Sequence, residues 1–145
     1  LGAGMIAWII YEPVLFQRLR VLQIEPQFRP TMGIILAPAF VGSSAYLSLN
    51  GGEIDLFVKL LWGYGFLQIF FLIRLFPWIS EKGLNIGFWA FSFGLASLAN
   101  GAVSFVHHNV LSGLANGAFI FANLMMSGLV LMTLGKIFKG QFWLK

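Results

Sequence analysis

The sequence predicts an all-α, polytopic membrane protein, and three observations carry that prediction. Charged residues make up only 10% of the 145 and hydrophobic residues 59%, where a soluble domain carries about a quarter charged residues. Mean hydropathy is +0.85. The apolar residues gather into five runs, each near the ~20 residues that a spanning helix requires, with short loops between them.

The first run, Leu1 to Phe16, opens inside an apolar segment, "LGAGMIAWII". It has no initiator Met, no basic leader and no small-residue cleavage signal, so it is not a signal peptide, and a piece of a longer protein is expected. The second run spans Thr31 to Leu49, with Pro38 in its middle. Proline removes one backbone hydrogen bond and predicts a kink there. Such a break is tolerated where the freed carbonyl meets protein or water rather than lipid. The third run, Ile54 to Ile79, is long enough to tilt. The fourth spans Leu84 to Val106 and the fifth Val110 to Phe138. Short loops predict antiparallel neighbours.

Charge placement sets the expected orientation. If the helices alternate, Arg18, Arg20, Arg29, Arg74, Lys82, Lys136, Lys139 and Lys145 share one side and Lys59 stands alone among the nine basic residues. The positive-inside rule puts the crowded side, and the C-terminus, in the cytoplasm. Trp62, Trp78 and Trp143 are predicted at the interfaces. The pI of 9.8 does not predict a nucleic-acid partner, because the basic residues form no groove or helix face. The lipid bilayer is the expected partner.

Chemistry-bearing sets are absent from the sequence. There is no cysteine, hence no disulfide and no thiolate metal site. His107 and His108 are adjacent, point apart on a helix and lack a third ligand, so no metal and no cofactor is expected. No nucleophilic triad, paired catalytic carboxylates, phosphate loop or dinucleotide fingerprint appears, and no enzyme is predicted. Glu12 and Arg74 lie toward helix ends, where Arg74 is expected to snorkel and Glu12 to pair with a nearby Arg.

Two helices carry patterned small residues. On the fourth, Gly87, Ala90, Gly94, Ser97, Gly101 and Ser104 fall on one face at 100° per residue. This small-xxx-small pattern is either a tight seam or the wall of a conduit. Phe93 lies about 60° round from Ala90, whereas Phe91 points to lipid or a neighbouring helix. In a conduit, Phe93 would reach across as a hydrophobic gate, with Gly94 as its hinge. On the fifth helix, Ser112, Asn116, Asn123 and Ser127 share a face, and Gly113 and Gly117 form a GxxxG pair. Interhelical hydrogen bonds and packing are expected there.

The stretches "EPQFRPTMGIILAPAF", "LWGYGFLQIFFLIRLFPWISEKGLNIGFWAFSFGLAS" and "KGQFWLK" closely resemble the tellurite-resistance/dicarboxylate transporter family of bacteria, whose relatives include the plant slow-type anion channels of guard cells. The resemblance covers nearly the whole chain. It implies ten membrane helices in five hairpins around a central pore, a homotrimer with one pore per subunit, and a place in the bacterial inner membrane. By that likeness residues 1–145 are the C-terminal half of one channel or transporter domain, and the second and fourth helices here are pore helices. The family's gate is a phenylalanine in a motif reading Trp-Ala-Tyr-Thr-Phe-Pro in the plant channels. Trp89, Ala90, Phe91, Ser92, Phe93 and Gly94 stand at those places. Phe93 is therefore the expected gate, with Gly94 replacing the proline as hinge. Pro38, Ala90, Ser97 and Gly101 are the expected pore-lining residues.

Three functions follow as expectations. The first is an anion channel for small inorganic anions, favoured because the spans carry no ring of Lys or Arg to hold an anion strongly. The second is a secondary transporter or efflux protein for tellurite, C4-dicarboxylates or lipophilic cations. The third is a helical scaffold without a conduit.

Overall fold

The computed structural model describes residues 1–21 and 24–140, with the side chains of Arg18 and Arg20 excepted. Lys145 and Trp143, both invoked above, lie outside the described residues. Five α-helices run in alternation: α1 (Gly2–Val21), α2 (Ala37–Leu49), α3 (Leu56–Ile79), α4 (Ser92–His107) and α5 (Ser112–Phe138). Two 3₁₀ segments, η1 (Arg29–Leu36) and η2 (Ile86–Phe91), lead directly into α2 and α4. No strand occurs among the described residues.

Four of the five expected spans are long and apolar enough to cross a membrane: η1–α2, α3, η2–α4 and α5. α1 is a 20-residue helix but does not join them, because Glu12, Gln17, Arg18 and Arg20 load its C-terminal half with polarity. It also continues past the expected end at Phe16.

The break expected at Pro38 lies upstream of it. η1 is an eight-residue 3₁₀ run, long for a geometry that rarely exceeds 3–4 residues. The chain converts to α-helix at Ala37, and Pro38 sits in the first turn of α2. Ile34 O, the carbonyl four residues before Pro38, already accepts from Ala37 N, so the missing N–H leaves that carbonyl satisfied. Proline here starts a helix rather than kinking one.

Aromatic packing fastens α3 to α2 and α4. Trp62 is 3% exposed and stacks on Phe105 with ring centroids 3.9 Å apart. Phe40 meets Trp62 edge-on at 6.0 Å and lies directly over Gly65, where a Cβ would collide with its ring. The expected interfacial role of Trp62 is thus corrected. Its place within α3 turns it toward α4, where Gly101 makes room for it. α5 packs on α4 through Ala115, Ala118 and Ala122, all buried. Its polar face makes no bond to another described helix: Asn123 Nδ2 donates to Phe119 O of its own helix at 2.8 Å. Gly113 and Gly117 have open space where a Cβ would stand, so neither packs against a described neighbour.

Side-chain contacts join the elements at both ends of α3. Arg29 pairs with Glu81 and lies 4.4 Å from the ring centroid of Trp78, joining the start of η1 to the end of α3. Asn85 Nδ2 donates to Gln27 O at 3.1 Å across the same end. At the opposite end Asp55 caps α3, accepting from Val58 N at 3.0 Å and from Tyr46 Oη at 2.7 Å.

These two bonds, the Val58 amide first and the Tyr46 hydroxyl second, hold the Asp55 carboxyl below its ordinary 3.8. A carboxyl depressed on folding stabilises above its unfolded value, and that share is lost as pH falls through the folded one. Asp55→Ala is therefore expected to lower the thermal unfolding midpoint at neutral pH. The gap to wild type should close in acid, below 3.8, as followed by melts across a pH series.

Candidate functional site: the paired helix breaks and the open face of α4

The two 3₁₀ segments lie side by side, and their contact is made at glycines. A Cβ on Gly33 would land on the ring of Phe91. A Cβ on Gly94 would stand 2.8 Å from Leu36 Cγ and 3.0 Å from Leu36 C. A Cβ on Gly87 would come within 3.4 Å of Pro30 Cβ. Each broken helix thus contributes glycine where its partner contributes bulk. The break in the fourth span falls at Phe91–Ser92, and Ser92 Oγ donates to Trp89 O at 2.6 Å. Trp89 Nε1 donates to Thr133 Oγ1 of α5 at 2.8 Å, which ties η2 to the helix behind it.

The stripe of small residues divides between these surroundings. Gly94 is buried against Leu36, and Gly101 is buried with Trp62 Cζ2 3.0 Å from where its Cβ would be. Ser97 is half-buried, and its carbonyl accepts from Ser44 Oγ of α2 at 3.5 Å. Ala90 is half-buried in η2. Pro38 is half-buried and lines crevices shared with Trp8 of α1. Gly94, Ser97 and Gly101 therefore meet η1, α2 and α3 respectively as a seam. Phe93 lies on the neighbouring surface, 57% exposed, with Ala96, Asn100, Val103 and His107 exposed along the same face of α4. Phe91 turns the other way, onto η1.

Several residues here were not singled out by sequence. Gly33 and Leu36 become legible only once the register between η1 and η2 is known. Asn100 shares the open face with Phe93 at helical spacing, a signal that the small residues overshadowed. Glu12 is corrected: Gln68 Nε2 donates to its Oε1 at 2.8 Å and to Tyr64 Oη at 2.8 Å. Gln68 is 3% exposed and lies midway along α3, so Glu12 sits beside the middle of a span, and its partner among the described side chains is an amide. The His107 and His108 rings stand 5.2 Å apart, because His108 already leaves the helix as its C-cap. Among the described residues no group of three or more His, Asp or Glu could hold a metal ion.

Residues 1–134 match the model of the SLAC1 family, described as voltage-dependent anion channel. The chain belongs to that family. A curated relative, the tellurite resistance protein TehA homolog of Haemophilus influenzae, is 69% identical over 144 residues. That alignment covers 99% of this chain and 44% of the relative. This chain therefore spans less than half the length of the relative it matches. Family membership agrees with the all-helical fold and its membrane-spanning helices.

The geometry separates a hinge from a close contact at Gly94. A hinge alone tolerates alanine, whereas the seam does not, because part of what its Cβ meets is backbone. Gly94→Ala is expected to destabilise the protein by about 1–3 kcal/mol, the usual cost of overpacking. Its thermal melt in detergent measures this.

Proposed function

We propose that this chain forms one half of a pore that conducts small inorganic anions across the bacterial inner membrane, with Phe93 as the gate. In this reading the rest of the protein covers the open face of α4, and the basic end, with the C-terminus, faces the cytoplasm. The observation that supports it most is the position of Phe93. Its ring stands on an α4 surface left open among the described residues, while the backbone behind it is packed onto η1 and α2. A ring in an uncharged passage blocks ions by bulk and by excluding water. Ala90 and Ser97 border that passage, and Asn100 adds a polar group to it. Gly94 and Gly101 act from behind, bringing α4 close to its neighbours; Gly94 also gives the first turn of α4 the freedom to rotate. Pro38 fixes where the facing helix turns from 3₁₀ to α. Without fixed cations, anions that shed water easily pass best. The assembly is a homotrimer, each subunit with its own pore.

Phe93→Ala in the full-length protein is expected to raise anion conductance about tenfold or more, equivalent to removing roughly 1.4 kcal/mol of barrier. Planar-bilayer recordings measure it, and an unchanged current refutes the gate.

A second reading, a secondary transporter exporting tellurite, dicarboxylates or lipophilic cations, is favoured by one observation. Glu12 places a carboxylate beside the middle of α3, where coupling groups of transporters sit. If it couples protons, Glu12→Gln abolishes the pH-gradient-driven accumulation of substrate in proteoliposomes. If the protein is a channel, neither form concentrates substrate, and flux follows the electrochemical gradient in both.

A further inference from the structure

Phe91 stands two residues before the gate and faces the opposite way. Its ring is half-buried, stacked beside Phe88 with centroids 6.0 Å apart and planes 16° apart, and seated on the bare backbone of Gly33. Phe88 is itself 4% exposed. Thr133 holds Trp89 on the side of α5, and Leu36 holds Gly94 on the side of η1. Only Ser92 lies between the two phenylalanines, at the junction of 3₁₀ and α geometry. The first turn of α4 therefore cannot rotate about its axis without lifting the Phe91 ring off Gly33.

We infer that Phe91, seated on Gly33, is the positioning residue that sets where the Phe93 ring stands, and that the contact between the two broken helices controls the gate. This rests on the reading of Phe93 as the gate. A half-open crevice of about 70 Å³ borders the Phe91 ring, walled also by Leu36, Leu72, Phe76, Leu95, Phe121 and Leu129. Its lining is almost wholly apolar, and it gives the edge of the ring space to shift but not the whole ring, since an apolar cavity that takes a benzene ring measures about 150 Å³. A methyl group added to Gly33 is thus accommodated by displacing Phe91, and the displacement passes through Ser92 to Phe93. Packed interfaces of this kind switch between discrete arrangements rather than deforming smoothly.

The test uses the full-length protein in planar bilayers. Gly33→Ala is expected to raise mean current about threefold or more, roughly half of the tenfold step on the logarithmic scale of barrier arithmetic. Adding Phe91→Leu, which shrinks the ring, should return the current toward wild type. Adding Phe93→Ala should leave Gly33→Ala with no further effect. A general loss of packing would not be rescued by a smaller ring, nor would it vanish once the gate ring is gone. If Phe93→Ala raises current while Gly33→Ala and Phe91→Leu both conduct as wild type, the positioning role is overturned and the gate stands. A second readout is independent of gating: the rate at which a thiol reagent modifies Phe93→Cys, with and without Gly33→Ala. A changed rate supports the linkage even if Phe93→Ala leaves current unaltered, which refutes only the gate. An unchanged rate overturns the linkage. Should Gly33→Ala not fold, Phe91→Leu alone carries both measurements, with a changed current and labelling rate expected, and wild-type values for both overturning the inference.

Discussion

Two helices in lipid gain little from hiding apolar surface from one another, since the acyl chains around them are equally apolar. Their association depends on how closely the backbones approach. In this protein that approach is arranged by pairing an absent side chain with a large one. Phe91 occupies the space over Gly33, Leu36 the space over Gly94, Phe40 the space over Gly65 and Trp62 the space over Gly101. The first two pairs join η1 to the fourth span, and the last two bind α3 to α2 and α4. A methyl at any of the four meets an occupied position. The relative placement of the three helices is therefore fixed at a few points, and those points determine which surface of α4 is left free.

The 3₁₀ geometry of η1 and η2 follows from the same constraint. A 3₁₀ run is narrower and longer per residue than an α-helix, which lets two chains lie close while the glycines and rings come into register. Its hydrogen bonds are poorer, and in a membrane an unmet backbone group is costly. Side chains make up part of the difference: Ser92 Oγ bonds Trp89 O, and Asn85 Oδ1 accepts from Gly87 N at 2.8 Å. Pro38 stands in the first turn of α2, where the chain returns to α geometry.

The sequence made the helices legible because apolar length and charge spacing are local properties. Span limits were placed within a few residues for η1–α2, α3, η2–α4 and α5. The stripe on α4 was legible as a pattern but not as a surface. Ideal periodicity groups Gly94, Ser97 and Gly101, but cannot say which neighbour fills the space they leave. That depends on Leu36, Ser44 and Trp62, all distant in sequence. Trp62 was misplaced for the same reason: distance from a helix end says nothing about which way the indole faces. Glu12 was misplaced because α1 runs further than its apolar stretch, so the partner it meets is Gln68 at the middle of α3.

Family membership narrows what the open face of α4 is for, and the packing behind it limits how such a face can work. A gate requires a ring that moves on a wall that does not. Gly94 alone satisfies only the first requirement, since a freely bending helix start would leave the ring without a defined closed position. The contacts of Phe91, Trp89 and Leu36 supply the second, because Phe91 and Leu36 hold the turn before and beside Phe93 to η1 and Trp89 holds it to α5. If Phe93 is the gate, rotation of that turn moves the Phe91 ring off Gly33 toward the apolar crevice that it borders. On the proposed reading, closure is decided by the fit of one phenylalanine to a glycine on the neighbouring helix. The pore itself needs no charged residue to close.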